Sequence, residues 1–140
     1  MEPGTSFASL DLDGEDRFQR LRAELGISTF GLNLLRLRPG QGSRIHRHEH
    51  QEEAYLVLAG VLTLEIDGED ARELHRGDLA RVAPDLRRQL SNRTSQPLFV
   101  LAMGGANAHE GRDGRAYASW DEEGDGRAPA DVPLPEGLGS

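Results

Sequence analysis

The stretch from Pro39 to Gly60 reads PGQGSRIHRHEHQEEAYLVLAG, and it places three of the five histidines of the chain next to two adjacent glutamates. His46 and His48 stand two residues apart, so an extended strand would point both imidazoles to one face. Glu53 follows on what the pattern predicts to be the next strand. Two imidazoles and one carboxylate form a ligand set that can hold a divalent metal and leave coordination positions open.

Short apolar runs separated by turn residues follow one another from Gly31 to Gly104, a rhythm typical of an all-β protein. In residues 62–66, LTLEI, apolar residues alternate with Thr63 and Glu65, as expected of a strand with one buried face. The Asp67-Gly68 pair that follows is a hairpin turn signal. Several short strands at this spacing favour a sandwich or a barrel.

The acidity of the chain belongs to its ends. The formal net charge is −8, yet residues 1–16 carry acids and no base, and acids outnumber bases in residues 105–140, so the middle is slightly basic. Neither part has the basic patch of a nucleic-acid-binding protein, and we expect no nucleic-acid partner. Cysteine is absent and all 16 basic residues are arginine, which excludes thiolate, disulfide and lysine chemistry.

The chain is expected to have three parts. Its 140 residues are enough for one hydrophobic core. We predict a flexible acidic arm over residues 1–16, a β-barrel over residues 17–104, and an acidic, Gly- and Pro-rich tail over residues 105–140. The spacing of apolar residues from Phe18 to Leu25 fits a short helix that Gly26 would end, with a strand as the alternative.

The two ends are expected to contact the barrel at few points. Phe7 and Leu10 are the only apolar anchors predicted for the arm. In the tail, Tyr117 and Trp120 predict one docked segment near residues 115–120, and the remainder is predicted to be mobile. The N-terminus lacks the features of a secretory signal and no apolar run reaches transmembrane length, so we expect a cytoplasmic protein without a membrane partner.

The stretch from Pro39 to Gly60 resembles the first sequence motif of the cupin superfamily, and all five of its fixed positions are present. They are Gly40, His46, His48, Glu53 and Gly60. The resemblance implies a double-stranded β-helix, a jelly-roll barrel, in which the two histidines and the glutamate point inward as ligands of iron, manganese, zinc or nickel. Gly40 would open a strand, and Gly60 would close a hairpin between the strands on either side of it.

The second cupin motif is degenerate. Gly77 and Asp78 match its opening and Asn92 matches its end, but Arg88 stands where the family has the histidine that completes the metal shell. Arginine is permanently protonated and only donates hydrogen bonds, so Arg88 cannot bind a cation.

Three arrangements are compatible with Arg88, and the sequence leaves all of them open. In the first, Arg88 turns away, and His46, His48 and Glu53 bind a metal whose vacant position takes water or substrate. In the second, the metal is lost and Arg88 pairs with Glu53. In the third, His50 or a residue from elsewhere replaces the missing ligand.

The cupin resemblance implies a fold that hosts many activities, so the site has to decide the function. One hypothesis is a metal-dependent dioxygenase or isomerase that acts on a small organic molecule inside a barrel. Its wall would consist of Leu35, Leu37, Tyr55 and Val57. The other is a metal-free, non-catalytic module for an anionic or sugar-like molecule, and a sensory or accessory module is a third possibility.

Arg88 and Tyr55 are candidate contacts to the small-molecule ligand. Tyr55 shares the inward face of Glu53, and its more ordinary role would be packing in the core. The resemblance to cupins also implies a homodimer, to which the apolar region from Phe30 to Leu37 would contribute.

Overall fold

The computed structural model describes residues 4–105 and 113–139, and within these residues ten strands form two antiparallel sheets of five strands each. The strands are β1 (Phe18–Gln19), β2 (Phe30–Leu37), β3 (Ile45–His48), β4 (Glu52–Ala59), β5 (Leu62–Ile66), β6 (Arg72–Leu74), β7 (Leu79–Val82), β8 (Arg88–Ser91), β9 (Leu98–Gly105) and β10 (Gly114–Tyr117). The helices are α1 (Leu21–Leu25) and one 3-10 turn (Pro129–Asp131). The predicted all-β fold is confirmed.

The two sheets enclose one apolar core. The strand order is β1-β2-β9-β4-β7 in the first sheet and β10-β3-β8-β5-β6 in the second. Alternation along the strands sends one side chain in two inward, and each fully buried Leu or Val stabilises the fold by roughly 1.5–3 kcal/mol. The core comprises Leu35, Leu37, Tyr55, Val57, Leu62, Leu64, Leu74, Val82, Leu90, Leu98 and Val100. The four wall residues predicted from the sequence are among them.

The segment from Phe18 to Leu25 contains both of the predicted alternatives. β1 pairs with β2, and α1 follows it directly. Gly26 then ends the helix with a φ of 73°, in the left-handed conformation that glycine adopts without strain.

The hairpin predicted at Gly60 is absent, and the prediction was wrong. β4 pairs with β7 and β9 in the first sheet, whereas β5 pairs with β6 and β8 in the second. Gly60, with a φ of 86°, therefore carries the chain from one sheet to the other. A glycine between two apolar runs indicates a tight turn, but it does not indicate which sheet each strand joins. The hairpin predicted at Asp67-Gly68 is confirmed, and it joins β5 to β6.

The N-terminal arm contacts the barrel through polar groups rather than through the predicted apolar anchors. Phe7 is 88% exposed and Leu10 is 43% exposed. The Ser6 hydroxyl donates to the carbonyl of Leu25 at 2.6 Å. The Arg36 guanidinium donates to the carbonyl of Asp11 at 2.6 Å, and it also bonds the carbonyl of Asp16. The arm is therefore held by hydrogen bonds to its backbone, and its two apolar side chains stay in solvent.

The C-terminal tail adds a strand to the second sheet. β10 pairs with β3, and Tyr117 is buried, so the segment predicted to dock near residues 115–120 contacts the barrel. Beyond it, Val132 is buried, and the N–H of Leu138 donates to the carbonyl of Gly40 at 2.8 Å. The sequence pattern did not predict these later contacts, and the mobility of the tail stays a prediction.

Parts of the predicted arm and tail, residues 1–3, 106–112 and 140, lie outside the described residues. Within the described ranges, the helices are too short or too polar to cross a membrane.

Replacing Gly60 with alanine should destabilise the protein more than the same change at Gly68. Both glycines have positive φ, but a Cβ on Gly60 would lie 2.4 Å from the Pro97 carbonyl oxygen, whereas nothing lies within 4 Å of one on Gly68. We expect Gly60→Ala to lower the free energy of unfolding by about 3 kcal/mol and Gly68→Ala by about 1 kcal/mol. Urea unfolding of both variants measures this, and equal losses would contradict the close approach.

Candidate metal centre

The candidate site lies between the two sheets, where three strands bring their inward side chains together. β3 contributes His46 and His48, which share one face because they are two residues apart. β4 contributes Glu53 and Tyr55 by the same rule. β8 contributes Arg88, which lies directly opposite His46 in the pairing of β3 with β8.

The three predicted metal ligands meet at one point. One potential ligand atom from each of His46, His48 and Glu53 lies within 4.8 Å of the others. The Nε2 atom of His48 is 3.1 Å from Glu53 Oε1, and the Nε2 atom of His46 is 3.5 Å from the same oxygen. The two imidazole rings stand edge to face with their centroids 5.4 Å apart.

The second nitrogen of each histidine faces a hydrogen-bond acceptor. His46 Nδ1 lies 2.9 Å from the carbonyl oxygen of Arg44, and His48 Nδ1 lies 2.8 Å from Oδ1 of Asp113. An acceptor at Nδ1 requires the proton there, so each neutral ring presents the lone pair of Nε2 to the centre. This is the orientation that a metal ligand needs.

Asp113 is a site residue that the sequence analysis missed. It lies just before β10, and its carboxylate accepts the backbone N–H groups of His50 and Gln51 at 2.8 Å each while it orients His48. Burial alone would raise the pKa of Asp113, but these hydrogen bonds lower it below its usual value. Nothing in the sequence around Asp113 indicates this role, because it depends on the pairing of β10 with β3.

The chemistry of the donor set fits a divalent metal. His48 Nε2 is buried and makes no hydrogen bond with good geometry to the described residues, although it lies 3.1 Å from Glu53 Oε1. Two lone pairs and a carboxylate at this distance repel one another unless a cation or a proton lies between them. Burial opposes a proton on His48, but Glu53 and Asp113 outweigh it and raise the pKa of His48. Protons and metal therefore compete for the same place.

Arg88 points at the site and bonds the Glu53 oxygen that lies nearest the two histidines. Its Nη2 donates to Glu53 Oε1 at 2.9 Å, and its Nε donates to the Tyr55 hydroxyl at 3.2 Å. Its Nη1 bonds backbone carbonyls, including that of Pro84 at 3.1 Å, and the side chain is fully buried. The arrangement in which Arg88 turns away is wrong, and the predicted pair with Glu53 is present. His50, the alternative ligand, lies exposed on the loop after β3, outside the group.

The carboxylate of Glu53 remains ionised although it is buried. Burial would raise the pKa of Glu53, but its interaction with the nearby imidazoles of His46 and His48 holds that pKa well below its usual range. Burial and the Glu53 charge raise the pKa of Tyr55 well above its usual value, so the phenol stays neutral and donates to Glu53. Burial lowers the pKa of Arg88, but Tyr55 and Glu53 outweigh it and raise that pKa.

A cavity of about 180 Å³ opens onto the three ligands. Its wall is mostly apolar and includes Leu35, Tyr55 and Leu90 from the core, with Asn33, Ser43 and Arg44 as further polar residues. Of the four predicted wall residues, Leu35 and Tyr55 line the cavity, whereas Leu37 and Val57 pack elsewhere in the core. Arg88 is not among the lining residues, and a direct contact between Arg88 and a ligand stays a prediction. Tyr55 does line the cavity, although its hydroxyl is engaged by Glu53 and Arg88.

The sequence matches the family described as Cupin domain over residues 33–104. The chain belongs to the cupin family. The match begins within β2 and ends within β9, and it includes the whole candidate centre except Asp113, which the tail supplies. Among curated proteins, none matches the chain significantly.

Three solved cupin structures are similar to this one. A cupin protein from Bacteroides fragilis is 27% identical with a TM-score of 0.65, over 87% of this chain and 98% of that one. A sugar phosphate isomerase of the cupin superfamily from Silicibacter pomeroyi is 32% identical with a TM-score of 0.63, over 73% of this cupin and 65% of that protein. A Cupin 2 conserved barrel domain protein from Salinispora arenicola is 29% identical with a TM-score of 0.59, over 71% and 82% of the two chains.

Glu53→Gln should destabilise the metal-free protein, because the amide removes the charge that compensates the buried Arg88. Breaking a buried ion pair in this way costs about 3 kcal/mol or more of unfolding free energy. The control is Glu52→Gln, since Glu52 pairs with Arg81 on the exposed surface and such pairs contribute less than about 1 kcal/mol. Chemical unfolding in the presence of a chelator gives both values. A Glu53→Gln variant as stable as Glu52→Gln would disprove the buried pair.

Proposed function

We propose that this cupin is a metal-dependent enzyme that acts on a small, oxygen-bearing organic molecule. The observation that carries the proposal is the convergence of three acceptor atoms at the end of an apolar cavity, with the Nε2 of His48 buried and without a good hydrogen bond. Without a cation, only a proton on one of the imidazoles would relieve the repulsion between these atoms.

His46, His48 and Glu53 would hold the ion, and a divalent metal at such a site polarises a substrate oxygen or binds dioxygen. The residues of the chain itself prepare that position. The Arg44 carbonyl and Asp113 fix the two imidazoles, so that both Nε2 atoms face the cavity. The apolar wall excludes water and strengthens every electrostatic interaction in the site.

Isomerisation is the better supported of the two predicted reaction classes. A solved cupin structure 32% identical to this chain is named a sugar phosphate isomerase, although this chain spans only 65% of it. We therefore propose a small hydroxy-carbonyl compound as substrate, with the carbonyl oxygen at the ion. Such a compound would bind the ion through its oxygens, and a metal held by N and O ligands accepts oxygen donors.

A metal-free binding module is the second candidate, and the ion pair between Arg88 and Glu53 favours it. The Arg88 guanidinium already neutralises the charge of Glu53, so this carboxylate does not need a metal ion to compensate it. In this case the cavity would bind an anionic or sugar-like molecule without converting it. The two candidates differ in their metal content.

The protein purified without chelator and without nickel resin should contain about one divalent ion per chain. His46→Ala and His48→Ala should lower that content to near zero, because each removes one of three ligands. His50→Ala should retain it, since His50 lies on the exposed loop outside the group. Elemental analysis of the four proteins measures this. Content near zero in the native protein, unrestored by iron, manganese, zinc or nickel, would refute the metal enzyme and favour the binding module.

The homodimer and the cytoplasmic location stay proposals. Phe30 on β2 is 42% exposed, which agrees with the region predicted to form the dimer contact. Light scattering determines the oligomeric state directly.

A further inference from the structure

We propose that Arg22 and Arg20 form a subsite for an anionic group of the substrate, a phosphate or a carboxylate. A second cavity, of about 480 Å³, is lined by both arginines and also reaches His48 and Glu53. That the anionic group belongs to a substrate whose carbonyl oxygen binds the metal rests on the function proposed above. The subsite itself rests on the two arginines alone.

Arg22 is a cation without a partner in the described part of the chain. Its Nε is buried and makes no hydrogen bond there. None of the ion pairs found among the described residues includes Arg22 or Arg20. A buried guanidinium nitrogen without an acceptor is costly, and a bound ligand is one source of the missing acceptor.

The carboxylates of Glu53, which lines the cavity, and of Asp113, which bonds His48, are already engaged. Glu53 accepts from Arg88 and Tyr55, and Asp113 accepts from His48 and two backbone N–H groups. Pairing with Arg22 would require either carboxylate to give up these hydrogen bonds. The planar fork of a guanidinium matches two oxygens of a phosphate or a carboxylate, and such charge-assisted hydrogen bonds are the strong ones.

The position of the cavity indicates how a substrate would lie. Asn33 and Ala102 line both the second cavity and the apolar one, and so do His48 and Glu53. A ligand with an oxygen at the metal centre can therefore extend an anionic end toward Arg22. This restricts the substrate to small molecules that carry a phosphate or carboxylate near the reacting oxygen.

The test is a calorimetric titration of metal-free protein with inorganic phosphate in one series and with acetate in another, at matched ionic strength. We expect saturable binding of at least one anion, weakened about tenfold or more in Arg22→Gln, because a hydrogen bond between charged groups is lost. Arg20→Gln should weaken it less, since Arg20 is exposed. Arg72→Gln, the same change on an exposed residue of β6, should bind like the native protein.

The anion that binds identifies the source: phosphate alone indicates a phosphorylated substrate, and acetate indicates a carboxylic acid. Absence of binding in both series, or equal binding by Arg22→Gln and the native protein, would overturn the subsite. Melting temperatures without anions exclude a structural role. Arg22→Gln should melt at or above the native temperature, because it removes an unpaired buried donor. A variant that both melts lower and loses binding would show that Arg22 is structural, which also overturns the proposal.

The outcomes separate this inference from the proposed function. Metal content without anion binding would refute only the subsite. Anion binding without metal would refute the enzyme and leave the subsite in a binding module.

Discussion

A carboxylate buried between two sheets is stable only if its charge is compensated, and Arg88 compensates that of Glu53. The two residues lie on strands of different sheets, so their hydrogen bond of 2.9 Å also joins the sheets across the core. With Tyr55, Arg88 fixes the Glu53 oxygen that faces His46 and His48. Removing either charge would leave the other buried without its ion-pair partner, a change that costs about 3–5 kcal/mol.

The same pair sets the electrostatics of the candidate metal centre. Arg88 and Glu53 together are neutral, so the ion pair weakens the attraction of Glu53 for a divalent cation. Asp113 acts in the other direction, because its carboxylate makes the His48 ring a stronger donor at Nε2. Arg88 thus lowers the affinity of the three candidate ligands for a cation, and Asp113 raises it.

Much of the fold and part of the site could be predicted from the sequence. Period-two alternation predicted the strands and the shared face of His46 and His48, because both features depend on local geometry. That Glu53 joins the two histidines was implied by the resemblance to cupins, since it depends on how the two sheets pack. Asp113 could not be predicted, since it reaches His48 only through the pairing of β10 with β3. The role of Gly60 was misread for a related reason: a turn signal does not reveal whether the next strand stays in the same sheet. The sequence left the direction of Arg88 open, because packing decides it.

Arg88 is bonded to Oε1 of Glu53, and we propose that a metal binds this carboxylate together with His46 and His48. Crystals of the protein grown with manganese, with diffraction recorded at the manganese edge, test both statements at once. We expect one anomalous peak contacted by Nε2 of His46, Nε2 of His48 and the Glu53 carboxylate, with Arg88 still bonded to Glu53. An absent peak, or a peak for which Arg88 has left Glu53, would contradict it.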